Sequence, residues 1–190
     1  MTGARTAGTF TGMSLRTVIL IVWGVFWVYW LASALGVKEG RRAGRVRPPG
    51  LVAILGIVVV RIFTPSTLAI HSVPLRVAGV IMFAEGLMLA IWARIYLGRN
   101  WGMPMTEKRE PELVTSGPYR FVRHPIYSGI LLGFAGTALA TNIYWLIVFG
   151  VCSVYFIYSA RVEEGIMTSS FPSAYPSYRT RTKMLIPFVL

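Results

Sequence analysis

Long blocks of apolar residues, with most of the charge left between them, are the feature that most constrains the fold of this chain. The blocks run approximately over residues 18–35, 51–70, 75–97, 126–140 and 144–160. A helix needs about 20 predominantly apolar residues to cross the hydrocarbon core of a bilayer. Helices also satisfy their own backbone hydrogen bonds there. The pattern therefore predicts an all-α integral membrane protein with five transmembrane helices.

The charge of the chain suggests two kinds of partner. A net charge of +12 over 190 residues is compatible with nucleic-acid binding. However, the basic residues cluster at the ends of the apolar blocks, where arginine meets anionic lipid headgroups. We therefore predict membrane lipids as partners and no nucleic acid. The length predicts a single membrane domain. Three N-terminal spans lie in 1–97, and the candidate catalytic region is 98–190, which holds the longest polar stretches.

The distribution of basic residues also predicts an orientation. Two arginines precede the first block, whereas five basic residues lie within 38–47 directly after it. The sequence Ala32-Ser33-Ala34 imitates a signal-peptidase site, but the basic stretch that follows argues for a retained span. Positive-inside counting places 38–47, 98–125 and the C-terminus in the cytoplasm and the N-terminus outside. The arginine bias and small size indicate a prokaryotic plasma membrane.

Two further features concern the membrane helices themselves. The last two blocks are joined only by residues 141–143, which predicts a helical hairpin. Glu85 lies inside the third block, where an unpaired carboxylate is costly. Arg61 and Arg94 are its candidate partners, and a structural pair and a substrate-pocket role both remain open.

The segment 117–129 is where polar chemistry meets the start of an apolar helix, and it holds one of only two histidines. Pro125 suits the first turn of that helix. The backbone N–H groups beside it are then expected to be free for an anionic or polar ligand. We therefore predict a cytoplasmic pocket formed by the 98–125 loop and the C-terminal segment.

A pair of carboxylates, Glu163 and Glu164, is expected at the end of the last span. There it would oppose the helix dipole and favour a cation, either an arginine or the ammonium or sulfonium group of a ligand. An ordinary interfacial charge pair is an equal alternative. The single cysteine and two distant histidines argue against a metal site. The chain has no aspartate, which excludes a Ser-His-Asp triad.

Two motifs together resemble the isoprenylcysteine carboxyl methyltransferase family, which is related to the phospholipid methyltransferases. The first is Leu-Val-Thr-Ser-Gly-Pro-Tyr at 113–119 followed by Arg-His-Pro-Ile-Tyr at 123–127. The second is the glutamate pair followed by Phe171, Tyr175, Tyr178, Arg181 and Pro187. The resemblance covers roughly 95–190 and departs from the family at Pro172, where glycine is usual. It implies an integral membrane methyltransferase that uses S-adenosylmethionine and releases S-adenosylhomocysteine.

The resemblance also assigns roles to residues. It implies that Arg181 holds an acceptor carboxylate. An amine acceptor would instead need a base to take its proton, and Glu163 or Glu164 could serve. We place Arg123 with Arg181 and Glu163 in the candidate catalytic group. The residues that the resemblance implies for cofactor binding are Leu113, Val114, Tyr119, His124, Pro125, Ile126, Tyr127, Glu163 and Glu164.

The expected reaction is carboxyl O-methylation of an isoprenoid or lipid-like acceptor that enters from the bilayer. N-methylation of an amino lipid is the second possibility. The membrane sterol reductases, which bind NADPH, also have C-terminal regions similar to this one. A small membrane scaffold is the non-enzymatic alternative, although it leaves the polar cluster unexplained.

Overall fold

The computed structural model describes residues 13–33, 40–42, 68–101, 106–108 and 112–187. These ranges contain five α-helices, separated in places by short 3-10 turns. They are α1 (Leu15–Ser33), α2 (Val73–Leu97), α3 (Pro125–Ala140), α4 (Trp145–Ser170) and α5 (Ala174–Arg181). Helices α1, α2 and α4 are long and apolar enough to cross a membrane, and α3 is a shorter apolar helix.

The helices confirm an all-α membrane protein. Four of the predicted apolar blocks correspond to α1, α2, α3 and α4. The α3–α4 connection runs from 141 to 144, as the hairpin prediction requires. The second block, 51–70, lies outside the described residues except for its last three positions. The count of five spans therefore stays a prediction.

Helices α2 and α3 pack backbone against backbone. A Cβ atom added to Gly86 would lie 2.5 Å from the Gly129 carbonyl oxygen, and one added to Gly129 would lie 2.5 Å from the Gly86 carbonyl oxygen. Gly79 meets Gly136 in the same way further along the interface. Small residues allow membrane helices to approach this closely and to gain van der Waals contact. Helices α2 and α3 therefore form a tight antiparallel pair, and this contact fixes the position of the first turns of α3.

Aromatic side chains attach α1 to this pair. The Trp23 ring stacks on Phe134 with centroids 4.7 Å apart, and its Nε1 donates a hydrogen bond of 3.0 Å to Thr137 Oγ1. Trp30 contacts Trp101 edge to face. Because a polar atom in an apolar interior needs a partner, the Trp23–Thr137 bond fixes the register of α1 against α3.

Arg94 joins the ends of α1 and α2. Its Nη2 donates to the Ser33 carbonyl and its Nη1 to the Gly98 carbonyl, both at 2.8 Å. Its guanidinium also lies 4.4 Å above the Trp101 ring. The predicted Glu85–Arg94 pair is thus wrong, since Arg94 is committed to carbonyls and Glu85 is exposed. The alternative partner, Arg61, lies outside the described residues.

A two-stranded antiparallel sheet, which the sequence analysis did not anticipate, lies beyond these helix ends. Strand β1 (Gly40–Arg42) pairs with β2 (Thr106–Lys108), with Arg41 opposite Glu107. The strands come from the two stretches predicted to be cytoplasmic. Their pairing requires both stretches to lie on the same side of the membrane. We call this side, where α1 and α2 end and α3 begins, the site end.

Helix α4 is longer than predicted. The apolar block suggested an end near residue 160, but the helix continues to Ser170 because no proline occurs before Pro172. Its 26 residues correspond to about 39 Å, which exceeds a hydrocarbon core of about 30 Å. Glu163 and Glu164 therefore lie within the helix and not in its last turn. The expected opposition to the helix dipole is wrong.

Candidate active site

The site is built at the start of α3. Gly117 opens a 3-10 turn, Gly117–Arg120, with a φ of 57°. Its missing side chain also leaves room for the Tyr96 ring, which an added Cβ would approach to 2.6 Å. Pro125 occupies the first turn of α3 as predicted. Glycine and proline thus turn the chain from the polar loop into the helix.

The C-terminal segment runs along this turn. The N–H of Arg123 donates to the Lys183 carbonyl at 2.8 Å, and the N–H of His124 donates to the Met184 carbonyl at 3.0 Å. Ser128 Oγ donates to the Leu185 carbonyl at 2.6 Å. The expectation of free N–H groups is therefore wrong at residues 123 and 124, because backbone carbonyls from 183 and 184 already bind them.

Glu163 connects α4 to the start of α3. Its Oε1 accepts a hydrogen bond of 2.6 Å from the Tyr127 hydroxyl, and its Oε2 lies 3.4 Å from His124 Nδ1. The Tyr127 ring is stacked between His124, at 5.5 Å, and Phe156, at 4.5 Å. A carboxylate, a phenol and an imidazole thus meet in one place. The Glu163 side chain keeps a quarter of its surface exposed.

Glu164 is more enclosed and faces protein cations. Its Oε1 lies 2.6 Å from Arg123 Nε and 3.5 Å from His124 Nε2. Its Oε2 lies 3.5 Å from Arg179 Nε. The side chain is only 6% exposed. A cation from either an arginine or a ligand was predicted, and at Glu164 the cations are the protein's own arginines.

His124 lies between the two carboxylates, and this position sets its charge. Burial lowers the pKa of the imidazole, but hydrogen bonding and charge attraction from Glu163 and Glu164 raise it by more. The net pKa is above the ordinary value. His124 Nε2 is buried and lies within ion-pair distance of Glu164, but the geometry is not that of a hydrogen bond. The imidazole therefore holds its proton more firmly than a free histidine.

Tyrosines join α5 to the loop before α3. The Tyr178 hydroxyl donates a hydrogen bond of 2.6 Å to the Tyr119 carbonyl. Burial raises the pKa of Tyr178 to about 12, so its hydroxyl remains a donor at neutral pH. Tyr119 in turn reaches α2, with its hydroxyl 3.4 Å from the Ala93 carbonyl. Both rings are buried.

The remaining residues predicted for the site range from buried to exposed. Leu113 and Val114 are half-buried, and Val114 packs against the apolar core. Arg181 is exposed, and its Nε donates to Ser177 of its own helix at 3.1 Å. Ile126 is buried beside Tyr127. The described residues contain no group of three or more metal-ligating side chains.

From sequence alone, Arg179 was one of the polar residues of the C-terminal stretch without an assigned partner, and the carbonyls of 182–185 were missed. A helical spacing of three and four residues would have placed Arg179 on the same face as Tyr175 and Tyr178. Backbone acceptors leave no comparable signal in a sequence, since every residue carries one.

The fold and this cluster define the chain as an all-α membrane protein with a polar, charged site where its helices leave the apolar region. The chain belongs to the phospholipid methyltransferase family, whose model matches residues 75–174. This match covers α2, α3, α4 and the whole Glu163–His124–Tyr127 cluster. The predicted family resemblance is confirmed.

Individual relatives point the same way. The chain is 34% identical over 116 residues to protein-S-isoprenylcysteine O-methyltransferase B of Arabidopsis thaliana, covering 58% of each chain. It is 30% identical over 109 residues to protein-S-isoprenylcysteine O-methyltransferase of Schizosaccharomyces pombe, covering 55% of this chain and 46% of the other. It is 33% identical over 82 residues to methanethiol S-methyltransferase 1 of Bradyrhizobium diazoefficiens, covering 43% and 28%. The chain thus spans between about a quarter and three fifths of these relatives' lengths.

Proposed function

We propose that this protein transfers a methyl group from S-adenosylmethionine to a lipophilic acceptor at the membrane surface. The observation that carries the proposal is the Glu163 carboxylate, held by Tyr127 and His124 at the start of α3 and still partly exposed. It lies inside the region that matches the family model. A fixed, accessible carboxylate beside an aromatic ring suits a cationic, aromatic methyl donor.

The residues present fit this donor. S-adenosylmethionine supplies a methyl group on a positively charged sulfur when it is bound. Glu163 would bind its ammonium group or lie beside its sulfonium. The backbone hydrogen bonds of α3 begin with the N–H of Ser128, which donates to the His124 carbonyl. The N–H groups of Ile126 and Tyr127 precede this bond in the first turn, where they are suited to binding the donor's carboxylate. Leu113 and Val114 provide apolar surface for its adenine ring.

The chemistry asks for alignment more than for a strong base. Methyl transfer is an in-line displacement, so the protein groups contribute mainly by holding the two reactants in register. Tyr127 and His124 hold the Glu163 carboxylate in place for this purpose. A carboxylate acceptor is already ionised at neutral pH. An amine or thiol acceptor would have to lose a proton, and Glu163 is the partly exposed base that could take it.

Carboxyl O-methylation of an isoprenoid or lipid-like substrate remains the leading reaction. The isoprenylcysteine methyltransferase relatives support it. The methanethiol methyltransferase relative favours S-methylation of a thiol as a further candidate. The match to the phospholipid methyltransferase family supports a lipid acceptor, with N-methylation of an amino lipid as the alternative.

Binding measurements test the proposed donor. Purified protein is titrated by calorimetry with S-adenosylhomocysteine and, separately, with NADPH. We expect binding of the first alone, and we expect Glu163→Gln to weaken it by about tenfold or more, since a charged hydrogen bond is worth about 1.5–3 kcal/mol. Tyr127→Phe should weaken it in the same direction. Tyr158→Phe removes a hydroxyl from an exposed tyrosine of α4 and serves as the matched control. NADPH binding, or unchanged affinity in Glu163→Gln, would refute the assignment.

The proposed role of Arg181 makes a separate prediction. If the acceptor is a carboxylate, Arg181 orients it through paired N–H donors that lysine cannot reproduce. Its exposure leaves the guanidinium free to turn toward an incoming substrate. Arg181→Lys should therefore lower turnover about tenfold or more and leave S-adenosylhomocysteine affinity unchanged. Normal turnover in this variant would favour an amine or thiol acceptor.

We also propose that the site end faces the cytoplasm and that the N-terminus faces outward, in a prokaryotic plasma membrane. The paired stretches 40–42 and 106–108 support a common side for both basic loops. In a Cys152→Ser background, single cysteines at Thr106 and Ser173 should resist an impermeant thiol reagent in intact cells, while one at Ser14 should react. The reverse pattern would invert the orientation.

A further inference from the structure

We propose that Arg123 and Glu164 are positioning residues, and that their task is to hold the C-terminal segment against the start of α3. We call this segment, residues 174–185, the clasp. The two adjacent glutamates then have different tasks, because Glu164 fixes the clasp while the partly exposed Glu163 lies beside Tyr127 and His124. The positioning role rests on the proposed function only in the identity of the ligand that the site binds.

The contacts of Arg123 carry the first step. Its Nε donates to Glu164 Oε1, and its Nη1 donates to the carbonyls of Thr182 and, at 3.3 Å, of Arg179. One planar guanidinium therefore binds α4 and two backbone carbonyls at the end of the clasp's helix at the same time. Since these donors are already used inside the protein, Arg123 is ill suited to contact a substrate.

The contacts of Glu164 carry the second step. Its second oxygen faces Arg179, which belongs to the clasp. Its side chain is 6% exposed, against 25% for Glu163 on the preceding position of the same helix. Removing one partner from a buried charge pair leaves the other charge uncompensated, which strongly destabilises the arrangement. The clasp should therefore detach when either Arg123 or Glu164 is neutralised.

The position of the clasp explains why this matters for the site. The bridge between Val122 and Lys183 is followed by the hydrogen bond from His124 N–H to the Met184 carbonyl. A detached clasp would remove the acceptor that fixes the His124 backbone. His124 would then lose its position against Glu163. Arg123 and Glu164 thus act on the reaction through His124 and not by touching substrate.

Limited proteolysis tests the clasp directly, without any methyl donor. Trypsin cleaves after arginine and lysine, and the clasp contains exposed Arg179, Arg181 and Lys183. A protease needs its substrate segment to open locally, so cleavage here reports how often the clasp detaches. Fragment masses identify cuts after these residues in wild type, Arg123→Gln, Arg123→Lys, Glu164→Gln and Glu163→Gln. Arg161→Gln, which removes an exposed arginine from α4, is the control.

We expect clasp cleavage to accelerate about tenfold or more in Arg123→Gln and Glu164→Gln, since each loses charged hydrogen bonds. In an Arg123→Gln/Glu164→Gln double variant the two accelerations should combine to less than their product, because the Arg123–Glu164 ion pair is lost in both single variants. Arg123→Lys should be cut at an intermediate rate, because lysine keeps the positive charge but lacks the several fixed N–H donors of a guanidinium. Glu163→Gln and Arg161→Gln should be cut within about twofold of wild type.

The same proteins are then titrated with S-adenosylhomocysteine. Glu163→Gln should bind S-adenosylhomocysteine more weakly while its clasp stays resistant to trypsin. The Arg123 and Glu164 variants should lose both S-adenosylhomocysteine affinity and resistance to trypsin. Clasp cleavage at the wild-type rate in both Arg123→Gln and Glu164→Gln would overturn the positioning role. Fast cleavage in these two, with no S-adenosylhomocysteine binding by wild type, would support the clasp and reject the proposed donor instead.

Discussion

Alanine in place of Gly129 is expected to cost about 3 kcal/mol of stability, at the upper end of what overpacking costs. The added methyl group would lie 2.5 Å from the Gly86 carbonyl oxygen and 2.7 Å from the Ala90 nitrogen. Both are backbone atoms of α2 and cannot turn away as a side chain would. The helices must separate, and the start of α3 moves with them. Thermal unfolding in detergent should show a markedly lower midpoint, and S-adenosylhomocysteine binding should weaken.

Gly150→Ala provides the matched control. It makes the same change in α4, but no atom lies within 4 Å of the added Cβ. Alanine is also the better helix former by about 1 kcal/mol. We therefore expect this control to unfold at or slightly above the wild-type midpoint. Equal midpoints for the two variants would show that the α2–α3 packing is looser than described here.

His124→Gln is expected to destabilise the protein in a pH-dependent way. The imidazole carries a raised pKa in the folded protein. Its charged form therefore contributes stability that is fully present below the unfolded value of about 6.5 and is lost as the pH rises through the folded pKa. The variant should lose about 3 kcal/mol at low pH, as when a buried ion pair is broken. The loss should shrink as the pH rises.

The measurement is the difference in unfolding free energy between wild type and His124→Gln at about pH 6 and about pH 9. All other ionisable groups are the same in the two proteins, so the difference reports the substituted position. A difference that grows with pH would mean that His124 is neutral in the folded protein. The ion-pair account of the site would then be wrong.

Sequence alone predicted the helical framework because apolar length and the charge at block ends are local signals. It placed α1, α2 and α3 well and ended α4 too early. The last turns of α4 are polar, so a hydropathy pattern ends the span near residue 160, although the helix itself continues to Ser170. The β1–β2 pairing joins residues more than 60 positions apart, which is likewise invisible in local patterns.

At the site, the sequence predicted which residues lie close together but not which of them contact each other. His124, Tyr127 and Glu163 do meet, and the clasp does lie beside them. The roles of Arg123 and Arg181 follow from geometry that only the fold supplies. Arg123 binds Glu164 and carbonyls of the clasp, whereas Arg181 lies on the surface, a difference that the sequence alone does not indicate.

The hydrogen bond between Trp23 and Thr137 has a consequence for how the protein is made. Its two partners lie 114 residues apart, so the first helix enters the bilayer long before the ribosome has produced its hydroxyl acceptor. Helix α1 can therefore make this buried polar contact only after α3 has been synthesised. Trp23→Phe removes the contact and with it this dependence of the α1 register on a later part of the chain.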